Sequence, residues 1–187
     1  MKQLITPEYK AAIIDLHSKY VWGIGAGKYV GDSIVAVLKQ HPEIKTILDY
    51  GCGEGTLKDR VEDDGITDKI WTLYDPGMPK FDSVPTGKFD LVITTDVLEH
   101  VEEIMLNNVL DHLRDLTGRF LYNEIACYST NRTFFSGPYT GQDLHINLKA
   151  PDMWKQRLLH RDFEVREVTV SLIEGWKVRF LSIQERR

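Results

Sequence analysis

Cysteine is scarce in this chain: only Cys52 and Cys127 occur among 187 residues. Two isolated thiols beside expected strand ends do not make a disulfide scaffold, and they point to a reducing compartment. No apolar run approaches the roughly 20 residues that a membrane span requires. Residues 1–5 lack the apolar stretch of a signal peptide. A transmembrane or secreted protein is therefore not expected; a cytoplasmic one without membrane partners is. An excess of basic charge is also missing, with 23 Lys and Arg against 28 Asp and Glu. That balance gives no global pull toward a phosphate backbone, so nucleic acid is disfavoured as a partner. There is no internal repeat, low-complexity tract or Pro/Ser-rich linker, and the length suits one domain, 1–187, with one core. The oligomeric state is not legible.

What is present centres on residues 46–57. Thr46-Ile47-Leu48-Asp49 is a short apolar run ending in a carboxylate, followed by Gly51, Gly53 and Gly55 and then a helix-compatible segment. A buried parallel strand, a glycine turn and a helix make up a nucleotide-binding βα unit. Glycines there let backbone approach a ligand where a Cβ would collide; a plain tight turn is the bland alternative. The dinucleotide fingerprint Gly-x-Gly-x-x-Gly fits less well, because position 56 is Thr.

Before this unit, Thr6-Pro7 reads as a helix start, and Tyr9, Ala12, Ile13, Leu16 and Tyr20 follow at helical spacing. Residues 22–29 read as an aromatic and glycine loop, and Asp32 as the cap of a second helix ending near His41-Pro42. After the unit, Leu57 and Val61 mark one helix face, and Ile70 to Tyr74 form the second strand, ending at Asp75-Pro76-Gly77. A carboxylate at this strand end can accept both ribose hydroxyls of a nucleoside held on the glycine turn. Only residues 76–88 separate Asp75 from the next strand, Phe89 to Thr95, too few for a crossover helix and another strand. Asp49, Asp75 and Asp96 all fall at strand carboxyl ends, where open α/β sheets bind ligands.

Leu106, Val109, Leu110, Leu113 and Leu116 form a helical stripe closed by Gly118, and a strand covers Phe120 to Ile125. Residues 127–150 are a polar and aromatic loop too long to be a mere connection. It carries Arg132, Tyr139, Gln142, Asp143 and His145. A helix from Pro151 and a hairpin turning at Glu174-Gly175 complete the chain. The expected fold is α/β, doubly wound, mostly parallel, with a terminal antiparallel strand. Its parts are a helical cap (1–45), a cofactor-binding core (46–126), a substrate loop (127–150) and a closing helix and hairpin (151–187).

Asp49-x-Gly51-x-Gly53-x-Gly55 resembles motif I of the class I S-adenosylmethionine (SAM)-dependent methyltransferases. Asp96-Val97-Leu98-Glu99-His100 resembles the motif after the family's fourth strand. The resemblance covers roughly 46–184. It implies SAM as cofactor, methyl transfer as activity, and Asp49, Gly51, Gly53, Gly55, Asp75 and Asp96 as cofactor-binding residues. It implies that the leading segment folds over cofactor and acceptor, making Tyr20, Trp22 and Lys28 candidates there, with Arg132 and Tyr139 from the long loop. The family normally places a helix, a strand and another helix where this chain has only residues 76–88, so the third-strand region is shortened here and the adenine contact is left unassigned.

Methyl transfer from a sulfonium needs nucleophile, methyl and sulfur held in line. A hydroxyl nucleophile also needs a base or a metal. His145 and His100 are the candidate bases; a structural role for either is the alternative. Asp96, Glu99 and His100 at i, i+3 and i+4 would share one helical face, and with His145 they offer an O/O/N/N set for a divalent ion. Methyltransferases acting on RNA 2′-hydroxyls or on catechol-like acceptors resemble this arrangement; no metal is assigned on that ground. The Asn/Asp-Pro-Pro-Tyr/Phe run of enzymes acting on DNA bases is missing after residue 95. The expected acceptor is a small molecule bearing oxygen or nitrogen. A non-catalytic SAM-binding module remains the alternative from another class.

Overall fold

The computed structural model describes residues 2–19, 23–130, 132–171 and 177–184. In chain order the elements are α1 (Pro7–Lys19), α2 (Gly25–Tyr29), α3 (Gly31–Gln40), β1 (Thr46–Tyr50), α4 (Thr56–Asp63), β2 (Ile70–Tyr74), β3 (Phe89–Thr95), α5 (Glu103–Leu116), β4 (Thr117–Ala126), α6 (Pro151–Leu159), β5 (Phe163–Ser171) and β6 (Lys177–Gln184). Short 3₁₀ turns occupy Leu98–His100 and Gly137–Tyr139.

The strands form one sheet in the order β2-β1-β3-β4-β6-β5. β2, β1, β3 and β4 run parallel, β6 is antiparallel to β4, and β5 is antiparallel to β6. The mostly parallel sheet with an antiparallel closing strand is as the sequence predicts. From β1 the chain steps outward to β2 and then returns across β1 to β3. That reversal opens a crevice at the carboxyl ends of β1 and β3. Residues 76–88 contain turns and no strand, so β2 is an edge strand and Ile70 stays 67% exposed.

Strand periodicity explains the two faces. Ile47, Leu91, Ile93 and Phe120 pack against Ile34 and Leu38 of α3 and Leu57 and Val61 of α4. Their neighbours in sequence, Leu48, Val92 and Leu121, pack against α5 and α6 through Leu106, Leu110, Leu113, Trp154 and Leu158. Each such aliphatic side chain contributes about 1.5–3 kcal/mol on burial, which fixes the register and holds the crevice edge rigid.

Three local expectations change. Residues 25–29 form α2 rather than a loop. Gly27 and Gly31 let this region settle on α4: a Cβ would lie 2.5 Å from the Thr56 carbonyl oxygen and 2.6 Å from Arg60 Cγ, respectively. Val30, not Asp32, stands at the start of α3, and Asp32 instead pairs with Arg60 at 2.5 Å. Gly118 does not end α5; it lies within β4, where a Cβ would come 2.7 Å from the Phe89 carbonyl oxygen. The proposed turn at Glu174-Gly175 lies outside the described residues.

Candidate active site

β1 delivers the chain into a turn whose three glycines all have left-handed backbones, with φ of +83° at Gly51, +51° at Gly53 and +82° at Gly55. L-residues other than Gly resist that region. Their missing side chains also admit neighbouring protein. A Cβ on Gly51 would lie 2.3 Å from Val97 Cγ2, and one on Gly53 2.5 Å from the Gly23 carbonyl oxygen. The glycine turn is thus packed against the β3–α5 turn on one side and the N-terminal segment on the other.

Asp75 ties this turn to the end of β2. Its Oδ2 accepts the Gly53 N–H at 3.0 Å and its Oδ1 accepts the Gly77 N–H at 2.8 Å. A carboxylate has about four lone-pair sites, so two accepted bonds leave capacity for hydroxyls in the cleft. Asp49 is fully buried behind the turn, and neither of its oxygens has a hydrogen-bond partner among the described residues. Burial first, and the Asp75 charge second, push its pKa up to about 7. Burial, with Asp49 and Asp75 adding to it, likewise raises the neighbouring Cys52 thiol.

Gly51, Cys52, Gly53 and Asp75 line one cleft of about 440 Å³, within the range of small-molecule sites. Gly51, Gly53 and Asp75 form one end; Asp96, His100, Tyr128, Arg132 and His145 wall the other. α1 closes it. Thr6 caps that helix by accepting the Tyr9 N–H at 3.2 Å, as its sequence predicts. The helix buries Tyr9 and Leu16 against Phe134 and Leu144 of the long loop. Glu102 clasps the two together, accepting from Thr6 N, Thr6 Oγ1 and Tyr139 Oη at 2.8–2.9 Å. At the other end of α1, His17 reaches the cleft beside Asp75; burial lowers its pKa against the pull of Asp75 and Glu54.

β3 leads into Asp96, whose φ of +52° is left-handed, and whose N–H donates to the Glu124 carbonyl at 2.9 Å. Strain of this kind gathers at functional sites. It also breaks the expected helical face: Asp96 precedes the 3₁₀ turn rather than standing on one helix with Glu99 and His100. Glu99 is buried, and its Oε1 accepts the Ala126 N–H at 2.7 Å. His100 Nδ1 bonds the Leu144 carbonyl at 2.8 Å, and His145 Nδ1 bonds the Tyr128 carbonyl. A carbonyl only accepts, so both Nδ1 atoms carry the proton. The two rings meet edge to face with centroids 4.8 Å apart. Burial, then the neighbouring His145, lowers the His100 pKa to about 4. Asp143 orders the loop around them, accepting from Thr130 N, Thr130 Oγ1, His145 N and the Ser129 hydroxyl.

Of the residues singled out in the sequence, the structure brings Gly51, Gly53, Asp75, Asp96, His100, Arg132 and His145 to one cavity. Asp49 and Gly55 stand behind the turn. Tyr139 packs on Tyr9, with centroids 4.9 Å apart, and points its hydroxyl at Glu102; it braces the wall rather than forming it. Lys28 also lies off the wall and sits over the Tyr29 ring at 5.3 Å. Tyr20 and Trp22 lie outside the described residues. Sequence reasoning missed Tyr9, His17, Glu102 and Tyr128. Tyr9 carried a signal, a tyrosine on an amphipathic leading helix, but one indistinguishable from core packing.

A glycine turn at the switch point of a mostly parallel sheet, with an acid at the next strand end, defines a nucleotide-binding α/β protein. Residues 25–168 match the methyltransferase domain family, and the chain belongs to it. No curated protein matches the chain in sequence. Among solved structures it is similar to the magnesium protoporphyrin IX methyltransferase of Synechocystis with bound SAM. That pair shares 16% identity over 96% of this chain and 99% of that one, with a TM-score of 0.67. It is also similar to the 1,6-didemethyltoxoflavin-N1-methyltransferase of Burkholderia thailandensis with bound S-adenosylhomocysteine. There the identity is 12% over 100% and 94% of the chains, with a TM-score of 0.61. At such identities the likeness is one of fold. Among the described residues no helix is long and apolar enough to cross a membrane.

Proposed function

We propose that this methyltransferase takes its methyl group from SAM and delivers it to an oxygen or nitrogen of a small-molecule acceptor. The observation that carries this reading is the single cleft joining Gly51, Gly53 and Asp75 at one end to Asp96, His100, Arg132 and His145 at the other. The residues present fit the cofactor. The glycine turn offers backbone without side chains on the wall, Asp75 keeps acceptor capacity for ribose hydroxyls, and the buried Asp49 supplies negative potential behind the turn. When bound, SAM supplies an electrophilic methyl on a sulfonium, which needs alignment rather than activation.

The chain's own residues do the rest. α1 and the 127–150 loop enclose the acceptor and exclude water, clasped through Glu102. Tyr9, Phe134 and Leu144 give the acceptor an apolar seat, and Arg132, exposed at the wall, is placed to meet a polar or anionic substituent. His100 and His145 stand where an acceptor proton would be handled, each held in one tautomer by a backbone carbonyl. The fold neighbours named above act on magnesium protoporphyrin IX and on 1,6-didemethyltoxoflavin, which supports a small acceptor here over a polymer.

The test is label transfer from methyl-labelled SAM to a panel of hydroxylated and aminated small molecules. Label in a small product supports the reading. SAM binding with no transfer to any acceptor class would make the protein a non-catalytic binding module. In the active system, His145→Ala should lower kcat by about 10²- to 10⁴-fold with SAM affinity little changed.

A further inference from the structure

We propose that Glu99, His100 and His145 bind a first-row divalent transition-metal ion at the acceptor end of the cleft. The ion's use rests on the methyltransferase reading above; its binding does not. One carboxylate oxygen and one nitrogen from each imidazole lie within 4.8 Å of one another. Ligands about 2.0–2.2 Å from one ion stand roughly 3–3.6 Å apart, so side-chain rotations on the order of 1 Å complete the set. Glu99 and His100 are neighbours in the 3₁₀ turn, His145 comes from the long loop, and each is held by backbone.

The orientation of the rings supports this most strongly. His100 gives its Nδ1–H to the Leu144 carbonyl and His145 gives its Nδ1–H to the Tyr128 carbonyl. Nδ1 is therefore occupied in both rings, and Nε2 is the atom that can ligate. Metal-binding histidines are commonly fixed this way, by a backbone acceptor on the far nitrogen. Glu99 is anchored through the Ala126 N–H, and its own carbonyl accepts the Asn147 N–H at 2.9 Å. That bond ties the 3₁₀ turn to the loop carrying His145.

The donor set selects the ion. Two nitrogens and one oxygen suit Zn²⁺, Mn²⁺, Fe²⁺ or Co²⁺, whereas Mg²⁺ and Ca²⁺ take oxygen sets. Three protein ligands leave coordination positions open. Both histidines line the cleft, so those positions face the acceptor. Asp96 sits outside the set, at the cleft wall. With both imidazoles taken up as ligands, the ion takes over from them the activation of a hydroxyl: it lowers the pKa of one that reaches it, and the hydroxyl proton passes to solvent. An amine needs no such help, so the site points to an acceptor that reacts through a hydroxyl.

The experiment uses the full chain, stripped with chelator and titrated with Mn²⁺ (free ion by electron paramagnetic resonance), Co²⁺ (visible absorption) and Zn²⁺. One ion per chain is expected. Glu99→Gln and His145→Gln should each weaken it by about 100-fold or more, with circular dichroism unchanged. In wild-type protein, Mn²⁺ should broaden the imidazole resonances of His100 and His145 before those of His17, a readout that holds even where a variant does not fold. Absence of a stoichiometric ion with all three metals, survival of binding in both folded variants, or no selective broadening would overturn the site. SAM calorimetry on the same sample separates the two readings. An ion without SAM binding overturns the methyltransferase reading alone; SAM binding without an ion overturns only the metal site.

Discussion

Asp49→Asn should change how stability depends on pH, by an amount the structure sets. The Asp49 carboxyl is fully buried, and its pKa rises from 3.8 to about 7. An acid whose folded pKa is raised binds its proton more tightly when folded. The wild type therefore loses stability as pH climbs from about 4 to about 7 and carries the full penalty above that. A shift of about 3 units corresponds to roughly 4 kcal/mol. Asn has nearly the same shape and no charge, so the difference in unfolding free energy, variant minus wild type, should grow by about 4 kcal/mol between pH 4 and pH 8. A constant offset from the unsatisfied amide does not alter that growth. Urea unfolding of both proteins at half-unit pH intervals measures it. Parallel curves would refute the buried, desolvated carboxyl. Cationic SAM held beside the turn would keep Asp49 ionised, so cofactor binding near pH 7 should release a proton in the wild type and not in the variant. Calorimetry in buffers of different ionisation enthalpy reads that difference.

Two other substitutions probe the turn. Asp75→Ala removes the acceptor of two backbone N–H groups as well as the expected ribose contact. It should cost about 1.5–3 kcal/mol of SAM affinity and lower the melting temperature too; a folded variant with wild-type SAM affinity would remove Asp75 from the cofactor site. Gly53→Ala places a Cβ 2.5 Å from the Gly23 carbonyl oxygen at a left-handed φ. It should cost about 2 kcal/mol or more, or at least about 4 °C in melting temperature, whereas Gly65→Ala, whose Cβ meets no atom within 4 Å, should cost only its backbone strain.

The parallel sheet was legible because β1, β2 and β3 are each a short run with an acid at or just beyond its carboxyl end, and because α5 carries an unbroken 3.6-residue stripe. That residues 76–88 are too few for the helix, strand and helix usual in the resembled family was legible by counting, once the resemblance had been drawn. Closure of the site was not. Tyr9, Glu102 and Tyr139 meet across long sequence separations, and no local pattern announces that a carboxylate at 102 will clasp Thr6. The glycines illustrate the same limit. Their spacing marked the turn, but the close approach of Gly23 to Gly53 is a tertiary fact. The helical spacing of Asp96, Glu99 and His100 misled, because the left-handed backbone at Asp96 ends the strand before a single 3₁₀ turn begins. Gly118 misled for a related reason: a glycine after a helical stripe reads as a stop, while here α5 passes directly into β4.

The central claim is that the glycine turn and Asp75 hold SAM, and isothermal calorimetry on purified protein tests it most directly. The account predicts saturable binding of SAM and of S-adenosylhomocysteine at one site per chain, with no heat from NAD. Tight binding of NAD with none of SAM would contradict it.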